Sequence, residues 1–229
     1  MAGNCLKLMQ VNIAGPNQRL ASLKERIGEI VALVDQHEIE IVAVQAGVDA
    51  DGNDAPLTAL GAALSEHGQV ATAGGIALLT KVPMADARAV PLRQLGLPDD
   101  PFERELLIVE LAPDGPVIAI GHFSWADKQA EANVADTLGA LSGMGDVLLV
   151  GDFNQPPESA ALAAFAEAGF VDCWPRLNRA RSGFSYPAPT PDRRIDYVLE
   201  RAEAPMVTAL DLVAGGFSDH AALIARIER

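Results

Sequence analysis

The stretch Val147–Asn154 reads VLLVGDFN, an apolar run that ends in a short polar group. Four consecutive aliphatic residues predict a buried strand, and the Gly-Asp pair that follows marks its end. A carboxylate and an amide at the end of a buried strand stand on a rigid support, where binding and catalytic side chains are commonly held. The stretch therefore predicts a sheet with polar chemistry along one rim.

The N-terminal side of the chain alternates between strand and helix. Leu6–Ile13 is a strand candidate, and Asn17 can cap a helix whose apolar residues recur at helical spacing as far as Val34. Ile39–Val44 is a β-branched run suited to a strand buried on both faces. A second helix is predicted from about Leu57 to Glu66.

From Gln69 the pattern changes to short extended runs separated by Gly and Pro breakers, which is typical of a β-meander. The predicted strands are Val70–Thr72, Gly75–Thr80, Arg88–Pro91, Glu105–Leu111 and Val117–Phe123. Helices are then predicted at about Asp127–Leu141 and Ser159–Ala168, and Pro175–Asp192 is predicted to be a loop. The last strand candidates are Ile195–Leu199, Val207–Leu212 and Ala221–Ile227.

This succession of elements indicates two similar halves, each a sheet with helices on its outer face. Packing the two sheets together gives a four-layer α/β/β/α sandwich, an α+β arrangement in the broad α/β class. The 229 residues suffice for one sizeable core, and neither a linker nor a sequence repeat interrupts them. Residues 1–229 are predicted to form a single domain.

The charge balance bears on partners. The chain has 31 Asp and Glu against 17 Lys and Arg, a formal net charge of −14. Such a surface repels the phosphate backbone of nucleic acids and anionic membranes unless basic residues cluster locally. Duplex nucleic acid is therefore disfavoured as a partner, although a divalent metal can supply positive charge inside an acidic site.

The cysteines and the hydropathy pattern predict a cytoplasmic protein. Cys5 and Cys173 are far apart and in no metal-ligand spacing, so they are interpreted as small buried hydrophobic residues, with one disulfide left open. The first residues lack a signal-peptide pattern, and no run reaches the roughly 18 apolar residues of a membrane span.

Short polar groups lie at or near the ends of several predicted strands, and each has an ordinary structural explanation when taken alone. Their order along the chain is more informative. They are Asn12, Gln45-Ala46, His122, Asp152, Asn154, Asp196 and Ser218-Asp219-His220.

The sequence around these groups resembles the endonuclease/exonuclease/phosphatase superfamily, the deoxyribonuclease I-like metal-dependent phosphoesterases. The resemblance spans nearly the whole chain, and GDFN, IDY and SDH at these separations are specific together. The matching segments, in order, are VNI, IVAVQ, GIALLT, RELLIVEL, GHF, LLVGDFN, FVDCW, RRIDYVL and SDHAAL. The family implies the same four-layer sandwich, with deoxyribonuclease I-like topology.

The resemblance also implies roles for single residues. Asn12 and Asp219 would help to hold Mg²⁺, with Mn²⁺ as a substitute, because hard cations prefer oxygen ligands. Asp152 would orient or deprotonate the attacking water. Asn154 would position the nucleophile and the phosphoryl group through its amide.

Two histidines would complete the site. His220, paired with Asp196, and His122 would donate to the non-bridging phosphate oxygens, where charge must be stabilised in the transition state. The carboxylate of Asp196 is expected to raise the pKa of His220. A His in the GHF segment resembles the phosphatase, sphingomyelinase and deoxyribonuclease I branches more than the abasic-site nucleases.

The sequence departs from the family at position 46. The second motif of the family ends in Gln-Glu, whose carboxylate is the principal metal ligand, whereas Ala46 has no oxygen to offer. Three explanations stay open: a deliberate Glu-to-Ala change that silences the enzyme, a weakened natural site into which Asp49 or Asp51 reaches, and a non-catalytic descendant that only binds a phosphorylated ligand. The retention of the other matched residues argues against the last.

The substrate is less well defined by the sequence. Arg193 and Arg194, together with Arg181, either hold a second phosphate or are solvated loop charges. Trp125 either stacks on a substrate ring or simply packs. A small phosphomonoester or phosphodiester is the preferred substrate class, and the alternatives are a phosphate-ligand binding module and a nuclease.

Overall fold

The computed structural model describes residues 5–15, 17, 19–48, 51–112 and 115–228. The strands are β1 (Cys5–Asn12), β2 (Ile41–Gln45), β3 (Gln69–Ala73), β4 (Ile76–Thr80), β5 (Met84–Leu92), β6 (Arg104–Leu111), β7 (Val117–His122), β8 (Val147–Asp152), β9 (Val171–Asp172), β10 (Asp196–Arg201), β11 (Val207–Val213) and β12 (Ala222–Glu228). The helices are α1 (Leu23–His37), α2 (Ala55–Ala63), α3 (Asp127–Ala140), α4 (Ala160–Glu167) and α5 (Cys173–Leu177).

The strands form two mixed sheets, in the order β11-β12-β1-β2-β4-β3 and β5-β6-β7-β8-β10-β9. Each sheet has one parallel pair near its centre, β1 with β2 and β7 with β8, and the other pairs are antiparallel. A helix connects the strands of each parallel pair, α1 in the first sheet and α3 in the second. The two halves therefore have the similar organisation that the sequence indicated.

Three apolar layers hold the sheets and helices together. The central layer lies between the two sheets and contains Leu8, Leu107 and Val150. The outer layers lie between each sheet and its helices, where Met9 packs beneath α1 and α2 and Leu149 packs beneath α3 and α4. Because successive side chains of a strand point to opposite faces, a strand buried on both sides must be apolar at nearly every position. This arrangement confirms the predicted four-layer sandwich.

Helix α1 begins later than the sequence suggested. Its cap is Ser22, whose hydroxyl accepts a hydrogen bond from the backbone N–H of Glu25, while the Glu25 carboxylate accepts from the backbone N–H of Ser22 at 2.9 Å. This reciprocal capping box satisfies two N–H groups at once, whereas a single Asn cap satisfies one. The prediction that Asn17 caps this helix is therefore wrong.

The predicted loop Pro175–Asp192 starts within helix α5. Asp172 caps the helix, since its carboxylate accepts from the backbone N–H of Trp174 at 3.0 Å. Pro175 is tolerated because the first turn of a helix needs no N–H donor at that position. In the sequence this proline indicates a loop, but a proline also suits the first turn of a helix.

Both cysteines are free. Cys173 is buried as expected, whereas Cys5 is half-buried at the start of β1, where its sulfur lies 3.0 Å from Nε of Arg226. Among the residues that the structure describes, no helix combines the length and the apolar character needed to cross a membrane.

Candidate active site

Three strands of the second sheet place acidic and imidazole side chains next to each other. In the register of the sheet, Asp152 at the end of β8 lies beside His122 at the end of β7 and beside Asp196 at the start of β10. Neighbouring strands are about 4.8 Å apart, so side chains at paired positions on one face are within reach of each other. The strand pairing of the second sheet therefore brings His122, Asp152 and Asp196 together.

The first sheet supplies the other half of the site, and Asp152 is the point where the two meet. Its Oδ2 accepts a hydrogen bond at 2.9 Å from Nδ2 of Asn12, at the end of β1. The same oxygen lies 3.6 Å from Nε2 of His122. Its Oδ1 accepts from the backbone N–H of Asn154 at 2.9 Å. Asp152 is 1% exposed, so its carboxylate is held from both sheets at the bottom of a cleft.

His220 and Asp196 form a buried pair. Nδ1 of His220 lies 2.9 Å from Oδ2 of Asp196, and Nε2 of His220 lies 3.8 Å from Oδ2 of Asp152. Ser218 holds the segment in place, because its hydroxyl donates to the carbonyl of Asn12 at 2.6 Å and accepts from the backbone N–H of His220. With Nδ1 directed at Asp196, the Nε2 edge of the ring is turned toward Asp152.

The charges of the site follow from these contacts. Burial disfavours the charged form of His220, but the adjacent Asp196 carboxylate outweighs it and raises the pKa of His220 to about 9. Burial, followed by repulsion from Asp196, raises the pKa of Asp152. Enclosure in the cleft, followed by the nearby charges of Arg104 and His220, lowers the pKa of His122. At neutral pH the site therefore has one cationic and one neutral imidazole.

Two buried glutamines support this pair: Gln45, one of the polar groups that the sequence placed at a strand end, and Gln10, which the sequence did not single out. Nε2 of Gln10 on β1 donates to Oδ1 of Asp196 at 2.9 Å and to Oε1 of Gln45 on β2 at 2.7 Å. The glutamine side chains are fully buried, and the contact crosses from one sheet to the other. Gln10 thus holds the carboxylate of Asp196 in place, and this carboxylate in turn orients His220. The sequence does contain a signal for Gln10, since it is a polar residue within the mostly apolar strand β1.

Asp219 lies where it could bind a cation. Its Oδ2 accepts from Nδ2 of Asn17 at 3.1 Å, and its Oδ1 is buried with no hydrogen-bond partner in the part of the chain that the structure describes. Asn12 Oδ1 accepts a hydrogen bond from the backbone N–H of Ala14, at 2.8 Å, and from no other described residue, so it retains a second lone pair. An unpartnered buried carboxylate oxygen next to further oxygen donors fits a hard divalent cation.

A second group of potential ligands lies within the acid–histidine cluster. Ligand atoms of Asp152, Asp196 and His220 all lie within 4.8 Å of one another. Asp196 and His220 are already hydrogen-bonded to each other. The predicted pair of Asn12 and Asp219 therefore offers the less committed donors.

Ala46 lies at the edge of this cleft, directly after β2. Its φ is +55°, a left-handed conformation that is uncommon for a residue with a side chain. Ala46 lines the cleft together with Asn12 and Asp219, so a longer side chain at this position would reach toward them. Asp49 lies outside the described residues, and Asp51 is exposed in the loop before α2.

Asn154 also has a left-handed backbone, with φ of +52°. Its Nδ2 donates to the carbonyl of Phe123 at 3.0 Å, and the side chain lines the cleft beside Asp152. Asn is among the residues that tolerate this conformation best. The turn after β8 thereby directs the amide into the cleft.

The arginines predicted to bind substrate have different surroundings. Arg193 is exposed at the mouth of the cleft, with its guanidinium stacked 5.0 Å from the ring of Tyr186. Arg194 is buried, forms a 2.6 Å ion pair with Asp172 and stacks on Tyr197. Arg181 stacks on the ring of Trp174. Only Arg193 is therefore placed to contact a ligand in the cleft.

The side chains just described surround an open cleft of about 580 Å³. It is lined by Asn12, Ala14, Ala46, His122, Trp125, Asp152, Asn154, Pro156, Tyr186, Arg193, Ile195, Asp219 and His220. A buried carboxylate flanked by a cationic and a neutral imidazole can hold a water molecule and stabilise negative charge beside it. These are the requirements of a hydrolytic site.

Comparison with known proteins identifies the class. The chain matches the model of the Endonuclease/Exonuclease/phosphatase family over residues 9–220 and belongs to that family. A comparison with curated proteins gives no match.

Solved structures of this family share the fold at low sequence identity. The endonuclease/exonuclease/phosphatase from Bacteroides vulgatus is 19% identical, with 98% of this chain and 99% of that chain covered and a TM-score of 0.76. A 3′ phosphatase from Neisseria, bound to a product DNA hairpin, is 16% identical, with 98% and 100% covered and a TM-score of 0.71. Sphingomyelinase C from Streptomyces griseocarneus is 17% identical, with 98% and 100% covered and a TM-score of 0.69. The likeness establishes the deoxyribonuclease I-like fold.

Proposed function

We propose that the protein is a divalent-metal-dependent phosphoesterase that hydrolyses a small phosphomonoester or phosphodiester by attack of an activated water. The observation that carries the proposal is the buried cluster of Asp152, His220 and Asp196, which both sheets assemble at the bottom of an open cleft. Membership of the family supports phosphoester hydrolysis as the reaction class.

Asp152 is the residue that handles the nucleophile. Its carboxylate is held by Asn12 and by the backbone of Asn154, so it has a fixed direction toward the cleft. A water bound by this carboxylate would be oriented toward phosphorus and would lose its proton to Asp152 as the new P–O bond forms. The ester P–O bond would break on the opposite side of phosphorus, and the departing alkoxide would take a proton from solvent in the open cleft. Asn154, whose side chain stands beside it in the cleft, would position the phosphoryl group.

The histidines stabilise the phosphoryl oxygens. His220 is kept cationic by Asp196 and presents its Nε2–H to the cleft, where negative charge develops in the transition state. His122 is neutral and donates through a ring N–H. Arg193 at the mouth of the cleft would hold a non-bridging oxygen or a second phosphate.

Asn12 and Asp219 are the residues that would hold Mg²⁺, and Mn²⁺ would substitute for it. When bound there, the cation supplies positive charge to the phosphoryl oxygens. Ala46 contributes no ligand, so this chain holds the cation more weakly than a relative with a glutamate at the position. The same observation favours a second candidate function, a phosphate-ligand binding module without turnover.

The arginines around the cleft support a small substrate rather than a nucleic-acid backbone. Arg104 is paired with Asp100, and Arg194 with Asp172. Arg26 donates to the backbone carbonyls of Ile13 and Gly15. These three guanidinium groups are therefore committed to the fold. Arg193 also pairs with a carboxylate, that of Asp192 at 3.1 Å, but both side chains are exposed at the mouth of the cleft, where Arg193 can exchange this partner for phosphate.

Hydrolysis of p-nitrophenyl phosphate and bis-p-nitrophenyl phosphate in excess Mn²⁺ tests the proposal. We expect turnover that chelator abolishes and that Asp152→Asn and His220→Ala each reduce by about 10²–10³-fold, because each removes a group needed in the transition state. Asp211→Asn is the matched control, since this exposed carboxylate on β11 lies outside the cleft lining and pairs with Arg181 at 3.6 Å.

The pattern of results separates the candidate functions. Equal loss in all three variants would show that the loss reflects folding, and unchanged activity in all three would show that a contaminant hydrolyses the esters. Either result would contradict the assigned site. Binding of inorganic phosphate without turnover of either ester would instead support the binding-module function.

A further inference from the structure

A second cavity adjoins the catalytic cleft at the rim where the two sheets meet. Its volume is about 330 Å³, which is enough for a small organic group. One wall comes from the first sheet and includes Ala46, Val48 and Ile76. The other wall comes from loops that adjoin the second sheet and includes Phe102, before β6, and Trp125, after β7. We call this cavity the apolar pocket.

Two exposed aromatic side chains form the outer edge of the apolar pocket. Phe102 is 58% exposed and Trp125 is 47% exposed, and their rings pack edge to face with centroids 5.8 Å apart. Trp125 is held in place, because its Nε1–H donates to the carbonyl of Asp99 at 3.1 Å and the guanidinium of Arg104 lies 5.2 Å from its ring centre. Large aromatic residues fixed in an exposed position mark a binding surface.

The floor of the apolar pocket is bare backbone. Gly74 and Gly75 form the turn between β3 and β4, both with positive φ. A Cβ added at Gly74 would lie 2.8 Å from the Glu105 carboxylate, and one at Gly75 would lie 3.0 Å from a methyl group of Val48. The glycines therefore keep open a space that any side chain would fill.

The charges around the apolar pocket select against an anionic occupant. Glu103 and Glu105 contribute carboxylates to its lining. The Arg104 guanidinium in the same lining is neutralised by Asp100, with which it makes contacts of 3.1 Å. A second phosphate is thus repelled here, whereas an uncharged apolar group is accepted.

The apolar pocket is continuous with the catalytic cleft. Ala14, Ala46, His122 and Trp125 line both spaces. Because Ala46 lines both spaces and has only a methyl group, its side chain does not close the passage between them. A group in the apolar pocket is therefore next to a phosphoryl group at His122.

We propose that the apolar pocket is a substrate subsite, which binds an uncharged, flat apolar group carried by the phosphoester beside its scissile phosphate. The inference rests on the proposed function, since it takes the neighbouring cleft to bind the phosphoryl group. The side chain of Trp125 would stack on the group, and Val48 would contact its opposite side.

Phosphonates that cannot be hydrolysed test the subsite without any need for turnover. Calorimetry in excess Mn²⁺ would compare methylphosphonate with phenylphosphonate. The ligand-induced change in Trp emission would report on Trp125, because Trp125 lines the pocket whereas Trp174 is buried elsewhere and contributes a constant background. We expect phenylphosphonate to bind about tenfold tighter or more, since burial of a ring contributes that much affinity. Trp125→Ala and the pocket-filling Val48→Phe should each abolish this preference. Val48→Phe should also leave the affinity for methylphosphonate unchanged, because Val48 lines the apolar pocket and not the catalytic cleft.

The test distinguishes failure of the subsite from failure of the proposed function. Equal binding of the two phosphonates, or a preference that persists in both variants, would overturn the subsite even if ester hydrolysis is observed. A preference lost in both variants supports the subsite even if no ester is hydrolysed, and the hydrolysis assay alone then decides between enzyme and binding module. Phe184→Ala serves as the control, because this exposed aromatic residue lies in another loop, 40% exposed, and should leave the preference intact.

Discussion

The site depends on a few side chains whose directions are fixed by neighbours rather than by their own conformational preference. Gln10 holds Asp196, Asp196 holds His220, and Ser218 ties the His220 segment to the end of β1. Each contact crosses between elements distant in sequence. Such a chain positions a cationic imidazole without leaving a buried charge unpaired, which would cost several kcal/mol.

At the residue scale, Ala46→Glu should create or strongly increase Mg²⁺-dependent hydrolysis. Ala46 lines the cleft with Asn12 and Asp219, so the carboxylate would add a charged oxygen ligand where a methyl group now lies. We expect Mg²⁺ affinity to rise about tenfold or more and the rate by about 10²-fold. Calorimetry with Mg²⁺ and hydrolysis of the two chromogenic esters would measure both.

Ala46→Gln is the matched control for this prediction. It has nearly the size of Glu and the same left-handed backbone to satisfy, but it lacks the charge. Equal metal affinity in all three proteins would show that position 46 does not face the cation. A gain in the Gln variant as large as in the Glu variant would indicate that side-chain size, and not charge, is what Ala46 lacks.

At the element scale, Gly151 explains how β7 and β8 approach so closely beside the site. Its φ is +146°, and a Cβ added there would overlap the backbone carbonyl of Gly121 on β7. Gly151→Ala should lower the free energy of unfolding by about 3 kcal/mol or more, because backbone cannot yield as a side chain can. Gly139→Ala in α3, where nothing lies within 4 Å, should leave stability unchanged or raise it by up to about 1 kcal/mol. Urea denaturation of both variants tests the pair, and equal losses would contradict the assigned register.

His67, which follows α2, predicts a pH dependence of stability. It is 3% exposed, its Nε2 lies 3.1 Å from the carbonyl of Ile39, and its Nδ1 is buried with no partner among residues whose placement is described. Burial lowers its pKa, so the folded protein binds this proton less readily than the unfolded chain. The buried, neutral His67 therefore stabilises the fold fully above about pH 6.5, and this stabilisation is lost as the pH falls through the pKa of the folded state. The free energy of unfolding should decrease by at most about 1.4 kcal/mol per pH unit.

His67→Gln isolates this effect, because the glutamine amide can donate to the same carbonyl and does not titrate. The difference in free energy of unfolding between the two proteins should be constant above pH 7 and should shift toward the variant below pH 6.5. Urea denaturation at pH 8, 6 and 5 provides the measurement. Parallel pH profiles would show that His67 takes up its proton equally in both states.

Whole-molecule architecture was predictable because periodicity and motif order are properties of the sequence. The strands of the two parallel pairs are apolar runs in the sequence. The polar residues at the ends of three of these runs, Asn12, His122 and Asp152, could therefore be predicted as site residues. The capping box at Ser22 and the start of α5 were missed, since several residues nearby could serve equally well as signals. The ion pair of Arg194 with Asp172 could not be predicted, because these residues lie 22 positions apart and their contact depends on the pairing of the short strand β9 with β10.

The net charge of the whole molecule leads to the last prediction, that affinity for plain duplex DNA is weak at physiological salt. The chain has 31 acidic against 17 basic residues, and several arginines near the cleft are bound to carboxylates or to backbone. A protein that makes many phosphate contacts loses about 10³–10⁵ in affinity between 50 and 200 mM salt. Fluorescence anisotropy with a labelled duplex should show little binding at either concentration. Tight binding with a steep salt dependence would reveal a basic surface formed by the fold, and nuclease activity would then become the favoured function.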